Sequence, residues 1–327
     1  MKICYKELIS TAHRPLRRTL APMLLALSLP LTAPAAAPLA ATQQEYTVNT
    51  YSSNFTAQTV DMNRTLNRGY KWYLADLFSK QANPAGVRIN SDGTVTLTGD
   101  NTGAVGALMS MAPYRGTDTF VGTAFGGGAY IEAVMSYDPA QVTATHTGTR
   151  YPYPSFWSLP MEGNIILGAN QWPGQAPGYV HNVEVDFFEA DRPDNPKIYG
   201  VGMHDWWGIK NVTCPGLCAI SPHPSGVTAP PTGTDFKQFH TYGFMWVAAT
   251  ATTPGFVDAY FDGQRTGYKV SWSQYTNQAP TPAGQSWAFG RTDQQHMFFI
   301  LGTGVGETMT IKSVNVWQKD ATKNMTN

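Results

Sequence analysis

The sequence predicts an all-β protein, a β-jelly-roll sandwich of two antiparallel sheets with a concave cleft. Short runs of alternating apolar and polar residues recur along most of the chain, and Gly, Pro, Asn and Asp separate them. The 31 glycines and 23 prolines are too many for a helical protein, and no long window has a 3.6-residue period. Asp262-Gly263 follows one alternating run and is typical of a two-residue hairpin turn. Many short strands joined by turns favour a sandwich or jelly roll.

Apolar, β-branched and aromatic residues at every second position mark the individual strands. In chain order, the clearest runs are 94–97, 129–135, 183–189, 256–261 and 309–317.

Residues 1–41 have the features of an export signal. Residues 23–29 form an apolar run too short to span a bilayer, and the Ala-rich segment 35–41 offers small residues to a signal peptidase. The basic residues ahead of the apolar run are Lys2, Lys6, Arg14, Arg17 and Arg18. We therefore predict cleavage at or near Ala41 and a secreted or periplasmic protein. The pair Arg17-Arg18 leaves a twin-arginine route open beside the general one.

The rest of the chain divides into three parts. Residues 42–67 are polar, with Thr, Asn, Gln and Ser dominant, and we interpret them as an extended N-terminal arm or linker. The alternating runs fill residues 68–320, a length that suits one large all-β domain. Residues 321–327 are a short C-terminal tail.

The charge balance argues against two classes of partner. The chain has 22 basic and 22 acidic residues; residues 1–41 hold five and one of these, which leaves 17 against 21, about −4. No basic patch accumulates after residue 41, so nucleic acid and anionic membrane are poor candidates. We expect a monomer after signal cleavage.

Two cysteines remain beyond the signal. Cys214 and Cys218 lie four residues apart in Cys-Pro-Gly-Leu-Cys, and in an exported protein this spacing predicts a disulfide that fixes a surface loop. Free thiols or a metal pair are the alternatives. No spacing of His, Cys and Asp resembles a metal site and no Gly-rich phosphate loop is present, so we predict neither a metal nor a cofactor.

The most informative segment is Val183-Glu184-Val185-Asp186-Phe187-Phe188-Glu189. Its alternation predicts a half-buried strand with Glu184 and Asp186 on one face, whereas Glu189 falls at an odd offset. A β-bulge at Phe187-Phe188 would return Glu189 to the same face. Crowded like charges raise pKa values, and a pair of carboxylates with different pKa values is what glycoside hydrolysis requires. A solvated acidic strand face is the alternative for this motif taken by itself.

Aromatic residues around this strand suit a polysaccharide, because sugar rings present flat faces that stack on aromatic rings. The candidate substrate-binding residues are Trp157, Trp172, His204, Trp206, Trp207 and Trp246. Adjacent strand residues face opposite sides, so one of Trp206 and Trp207 is expected in the core and the other in the cleft. Core packing is the alternative role for any single Trp. His204 could hydrogen-bond a sugar hydroxyl or one of the carboxylates.

Taken in order, several segments resemble glycoside hydrolase family 16, in the branch with a bulged catalytic strand. The resemblance runs from about residue 71 to residue 318. Its motifs are Gly-Ala-Tyr-Ile-Glu-Ala at 128–133, Pro-Ser-Phe-Trp-Ser-Leu-Pro at 154–160, the acidic segment 184–189, the aromatic strand 239–246, the hairpin 258–264 and the closing strands at 298–301 and 314–318.

This resemblance implies that Glu184 is the nucleophile, that Asp186 positions and tunes it, and that Glu189 is the acid/base. It also implies a separation of roughly 5–5.5 Å between the two Glu carboxyls. The sequence departs from the family pattern where Lys312 replaces an Asp that often binds calcium, and where Gly302 replaces an Asn facing the cleft. The insert 161–180 is also unusual.

We therefore expect a secreted, endo-acting, retaining glycoside hydrolase whose partner is a polysaccharide. β-1,3-Glucan is the first expectation and an agar-type galactan the second. A transglycosylase with the same site is one alternative, because it differs only in the acceptor that reaches the intermediate. A non-catalytic carbohydrate-binding sandwich is another, although such a domain has no need for three crowded acids.

Overall fold

The structure is a computed structural model of the protein. It describes residues 35–77, 80–99, 106–113, 119–142, 153–165, 175–195, 197–220, 223–278, 285–304 and 306–327. The predicted all-β class is confirmed, since strands dominate these residues. One short α-helix, α1, spans Leu39–Thr42, and 3₁₀ helices span Pro84–Gly86, Pro139–Gln141 and Phe289–Gln294. No helix in this part of the chain is long and apolar enough to cross a membrane.

Twenty-two strands are present in the described residues. The first eleven are β1 (Val48–Ser53), β2 (Val60–Asp61), β3 (Trp72–Leu74), β4 (Asp76–Leu77), β5 (Lys80–Gln81), β6 (Val87–Ile89), β7 (Val95–Thr98), β8 (Ala107–Met109), β9 (Met111–Pro113), β10 (Phe120–Ala124) and β11 (Ala129–Tyr137). The remaining eleven are β12 (Ser155–Pro160), β13 (Tyr179–Glu189), β14 (Tyr199–Ile209), β15 (Cys218–Ala219), β16 (Ser225–Thr228), β17 (His240–Val247), β18 (Gly255–Phe261), β19 (Gln264–Trp272), β20 (Met297–Gly302), β21 (Thr308–Gln318) and β22 (Met325–Thr326).

Two large sheets make up the sandwich. The first has the order β19-β18-β17-β11-β21-β7-β6, with β1 added beside β21. The second has the order β15-β14-β13-β12-β20-β8-β3-β2, with β16 added beside β14. Pairing is antiparallel throughout both sheets except between β2 and β3. A three-stranded sheet, β22-β10-β9, and the hairpin β4-β5 complete the described strands.

Aromatic side chains fill the space between the two large sheets. Phe187 of β13 packs against Phe244 of β17 in the facing sheet, with ring centroids 4.9 Å apart. Phe188 contacts Tyr242 of the same facing strand at 4.6 Å. Burial of this apolar surface is the main favourable contribution to folding. Because Phe187 and Phe188 are consecutive and both lie in the core, the alternation of side chains along β13 is broken at this point.

The predicted hairpin at Asp262-Gly263 is confirmed. These residues connect β18 to β19, and Phe261 pairs with Gln264 across the turn. Asp262 has φ 47° and Gly263 has φ 77°, the positive values that a two-residue turn of type I′ requires.

The predicted N-terminal arm, residues 42–67, does not lie apart from the sheets. It contributes β1, which pairs with β21, and β2, which pairs with β3. Phe55 within this segment is fully buried. The polar composition was misleading because a strand inserted at a sheet edge needs only every second side chain to be apolar. Likewise, the tail 321–327 includes β22, which pairs with β10.

Helix α1 packs on the outer face of the first sheet. Ala40 and Ala41 are buried there with Tyr46, Tyr130 and Trp317. The Trp317 indole donates a hydrogen bond to the Ala35 carbonyl at 3.3 Å. Cleavage at Ala41 would remove α1 from this cluster. The first part of the predicted signal, residues 1–34, lies outside the described residues.

Candidate active site

The candidate active site is built on β13, where the three acidic residues of the motif lie. Val183 and Val185 are buried in the core, while Glu184 keeps part of its surface exposed on the opposite face. Asp186 is also turned away from the apolar core but is almost completely buried by its neighbours. The local alternation of apolar and acidic residues therefore separates the core from the site as predicted.

A β-bulge separates Asp186 from Glu189. On one side, Asp186 pairs with Gly202 and Glu189 pairs with Gly200, so β13 has one residue more than β14 in this interval. On the other side, Trp157 pairs with Asp186 and Phe156 with Phe188, which skips Phe187. The predicted bulge is confirmed. Because Phe187 and Phe188 are both buried in the core, Glu189 returns to the face that Glu184 and Asp186 occupy.

Neighbouring strands hold each carboxylate with a different group. The Trp206 indole Nε1 of β14 donates a hydrogen bond to Glu184 Oε2 at 3.2 Å. His204 Nε2, also on β14, lies 3.1 Å from Asp186 Oδ2. The imidazole and indole rings stack nearly parallel, with an interplanar angle of 14°. These two side chains of β14 thus fix two of the three acids.

Glu189 is held from the other side of β13. Tyr153, just before β12, donates its hydroxyl to Glu189 Oε1 at 3.1 Å. Burial and the charge of Glu189 raise the pKa of the Tyr153 hydroxyl well above its usual range. The hydroxyl therefore stays protonated and remains a donor at any pH at which the protein works.

The three carboxyls share one electrostatic environment. Burial raises the pKa of Glu184 above its ordinary value, and the charge of Asp186 raises it further. Burial likewise raises the pKa of Asp186, with a contribution from Asp191. For Glu189, burial is again the largest cause of a raised pKa, followed by the charges of Asp186 and Asp191. Groups coupled in this way titrate together, and the first proton lost makes the next harder to remove.

Opposing contacts favour ionisation of two of these acids. The indole of Trp206 and the nearby His204 both lower the pKa of Glu184. The hydroxyl of Tyr153 and His204 lower that of Glu189. Burial and like charges thus raise the pKa values of these carboxyls, while hydrogen bonds lower them. Such differences in environment can give an acid role and a base role to chemically identical groups.

The donor set raises the question of a metal. One oxygen each of Glu184 and Asp186 and one ring nitrogen of His204 all lie within 4.8 Å of one another. Such atoms are also donors that a divalent cation accepts. Two of these atoms already contact each other, since His204 Nε2 lies 3.1 Å from Asp186 Oδ2, and we assign no metal to the group.

The other aromatic candidates divide between cleft and core. Trp157 is half-buried and pairs with Asp186, which puts it on the site face. Trp207 is 9% exposed and belongs to the core, so of the adjacent pair only Trp206 faces the carboxylates. Trp172 lies outside the described residues.

Trp246, expected in the cleft, lies instead in the facing sheet, on β17. It is buried in the core, and its indole donates a hydrogen bond to Asp293 Oδ1 at 2.8 Å. The sequence interpretation was wrong here because an aromatic residue in an alternating run looks the same whichever sheet the strand joins.

Sequence reasoning missed four residues near the carboxylates. Tyr153 contacts Glu189, and the ring of His223 lies 4.2 Å from that of His204. Asp191 raises the pKa of Asp186 and Glu189 by its charge. Burial raises the pKa of Tyr268 of β19, and the charge of nearby Asp186 raises it further. The sequence could have indicated only Asp191, because it lies two residues after Glu189. The other three residues lie near the carboxylates because of how β12, β16 and β19 are placed in the fold.

The remaining predicted features are also located. Cys214 and Cys218 form a disulfide with Cα atoms 5.2 Å apart, which joins the loop after β14 to the first residue of β15. Lys312 is exposed on β21. Gly302 ends β20 opposite Ser155 of β12.

Comparison with known proteins gives a likeness of fold. No protein-family model matches the sequence, and no curated protein matches it. The structure is similar to an endo-1,3-beta-glucanase from Streptomyces sioyaensis, with 18% identity, a TM-score of 0.48, and coverage of 86% of this chain and 97% of that one. A kappa-carrageenase from Pseudoalteromonas carrageenovora is 13% identical, with a TM-score of 0.44 and coverage of 89% and 99%. A galactose-4-sulfate-3,6-anhydro-galactose galactohydrolase is 14% identical, with a TM-score of 0.46 and coverage of 83% and 97%.

Proposed function

We propose that this protein is a secreted, endo-acting glycoside hydrolase that cleaves internal β-glycosidic bonds of a polysaccharide with retention of configuration. The observation that carries this proposal is the bulge, which returns Glu189 to the face of Glu184 and Asp186. A strand face that only needed solvation has no reason to crowd three acids together, to bury one of them almost completely and to raise the pKa of each.

In the first step, the Glu184 carboxylate attacks the anomeric carbon of a bound sugar. Glu189, protonated, gives its proton to the glycosidic oxygen as the carbon–oxygen bond breaks, which leaves a glycosyl ester on Glu184 and a free sugar hydroxyl. In the second step, the Glu189 carboxylate removes a proton from water, and the water oxygen displaces Glu184 from the anomeric carbon. Both carboxyls regain their starting states.

The neighbouring residues support these roles. Trp206 donates a hydrogen bond to Glu184, which favours the ionised nucleophile. Asp186 and Asp191 place negative charge near Glu189, which favours the protonated acid. Asp186 lies between the two glutamates on the strand, beside His204, and its charge raises the pKa of both.

For the substrate we propose a neutral β-linked glucan or galactan, with β-1,3-glucan first and an agar-type galactan second. The aromatic faces of Trp157 and Trp206 beside the acids suit uncharged sugar rings. The family resemblance of the motifs supports the same class. Export rests on the features of residues 1–41 alone.

The test is hydrolysis by the mature protein of laminarin, lichenan, agarose and carrageenan, followed by proton NMR of the first product formed. We expect release of oligosaccharides from one β-linked polymer, with the β-anomer appearing first. Initial release of the α-anomer would exclude retention. Binding to these polymers without cleavage would favour the carbohydrate-binding sandwich instead, and products longer than the substrate would favour transglycosylation.

A further inference from the structure

Glu189 is contacted by a residue from outside the acidic motif. Tyr153 precedes β12, and β12 pairs with the end of β13 through Ser155 and Glu189. This pairing brings the Tyr153 hydroxyl to Glu189 Oε1 at 3.1 Å.

A second group acts on Glu189 from the chain that follows β13. Asp191 is partly buried, with 18% of its side chain exposed, and Arg192 Nη1 lies 2.7 Å from its Oδ2. Gly200, the partner of Glu189 on β14, leaves the space for this carboxyl, since a Cβ there would lie 2.9 Å from Asp191 Oδ1. The Asp191 carboxylate is therefore held close to the sheet beside Glu189.

Other titratable and charged groups surround Glu189 from every neighbouring element described. From β13 these are Glu184 and Asp186, and from β14 His204. Beyond them, Tyr268 of β19 and His223 face Asp186 and His204. Arg192 partly neutralises Asp191. Among these groups, Tyr153 is the one that donates a hydrogen bond to Glu189, and Asp191 is the nearby acid that lies outside the motif.

We propose that Tyr153 and Asp191 are positioning residues with opposite effects on Glu189, Tyr153 favouring its carboxylate and Asp191 favouring its protonated acid. This inference rests on the proposed function, in which Glu189 must be an acid in one step and a base in the next. A carboxyl that strongly preferred either state would slow one of the two steps. Two opposed neighbours keep both states accessible.

The pH dependence of both effects follows from the contacts. The hydrogen bond from Tyr153 lowers the pKa of Glu189, so its loss should raise that pKa. The charge of Asp191 raises the pKa of Glu189, so its loss should lower that pKa. A disturbance of packing alone would not shift the two variants in opposite directions.

The experiment compares Tyr153→Phe, Asp191→Asn and Arg192→Gln with the control Asp194→Asn, which removes an exposed acid of the same loop. For each protein, the pH profile of kcat/KM is measured, and the Glu189 carboxyl is titrated directly by carbon-13 NMR. The Glu189 signal is identified by its disappearance in Glu189→Gln.

We expect the titration of Glu189, and with it the alkaline limb of the profile, to move up by about 0.5–1 pH unit in Tyr153→Phe and down by a similar amount in Asp191→Asn. Arg192→Gln should move it up, because Asp191 loses its counter-charge. Asp194→Asn should match the wild type. The proposal would be overturned if Tyr153→Phe and Asp191→Asn shifted the titration of Glu189 in the same direction. It would also be overturned if neither variant shifted that titration more than Asp194→Asn does. The NMR titration needs no turnover, so a protein that cleaves no polysaccharide would contradict the proposed function while the titration still decides this inference.

Discussion

At the scale of single residues, the site depends on which partner each acid has. Glu184 accepts a hydrogen bond from an indole, Asp186 lies beside an imidazole and Glu189 accepts a hydrogen bond from a phenol. These partners differ in charge and in hydrogen-bonding strength, although the three acids lie on one strand. Their environments, rather than their own chemistry, therefore separate a nucleophile from an acid/base.

Glu184→Ala should abolish turnover while leaving the fold intact. In the proposed mechanism Glu184 is the carboxylate that forms the glycosyl ester, and it is only half-buried, so its loss removes little packing. Sodium azide should restore part of the activity and give a product of inverted configuration, because a small anion fits the vacated space. Kinetics and product NMR check both points, and wild-type activity in Glu184→Ala would refute the assignment.

Trp206→Phe and Trp207→Phe form a matched pair on adjacent residues. Trp206→Phe removes the donor to Glu184 and part of a stacking surface, so we expect kcat/KM to fall about ten-fold with an unchanged Tm. Trp207 is in the core, so Trp207→Phe should lower the Tm instead. Steady-state kinetics and thermal denaturation separate the two effects; equal losses of kcat/KM would contradict the difference in orientation.

At the scale of elements, the bulge in β13 joins the core to the site. One extra residue lets Phe187 and Phe188 both pack against the facing sheet, at Phe244 and Tyr242. The extra residue also shifts the alternation of inward and outward side chains by one position after Phe188, so that Glu189 points away from that core. A regular strand of this sequence would bury Glu189 among aromatic rings, which is costly for a carboxyl.

A pair of length changes tests the bulge. Inserting one Ala between Phe188 and Glu189 should turn the carboxyl toward the core and abolish activity. Deleting Phe188 should restore a regular strand in which all three acids still share a face, so activity should remain detectable. The deletion should lower the free energy of unfolding by about 3–5 kcal/mol, since a core aromatic side chain is lost. Chemical denaturation and kinetics provide the readout, and an active insertion variant would contradict the register.

At the scale of the whole molecule, buried carboxyls make stability depend on pH. Among the carboxyls of the described residues, burial raises the pKa of Glu132, Glu184, Asp186, Glu189, Asp191, Asp205, Asp258 and Asp293. For Glu132, burial raises the pKa to about 7. The described carboxyls with lowered pKa values, Glu45, Asp92 and Asp320, are exposed.

We expect the Tm to fall as the pH rises from 5 to 8. In the unfolded chain these carboxyls ionise near pH 4. Between that pH and their raised pKa values in the folded protein, the folded protein binds more protons than the unfolded chain does. Its free energy of unfolding therefore decreases as the pH rises through this range. The fall should be at least about 4 °C. In a variant carrying Glu184→Gln, Asp186→Asn and Glu189→Gln the fall should be smaller. Calorimetry across this range measures it, and a Tm that rises with pH would contradict the direction of the shifts.

Metal removal is a second test on the whole protein. The proposed chemistry uses carboxylates, water and the sugar itself. Activity after EDTA treatment should therefore equal that of the untreated enzyme. Loss of activity with EDTA and its recovery with calcium would show that a cation is required.

The sequence by itself determined the all-β class, the hairpin at Asp262-Gly263, the acidic face of β13 and the bulge that returns Glu189 to it. These features are local, since alternation, positive-φ turn residues and an odd offset between acids are all read from adjacent positions. Only the tertiary structure decided that Trp246 belongs to the core, that residues 48–53 form a sheet strand, and that Tyr153, His223 and Tyr268 lie near the carboxylates. Those outcomes depend on which strands pair and which face meets the opposite sheet, and such contacts join residues that are distant in the sequence.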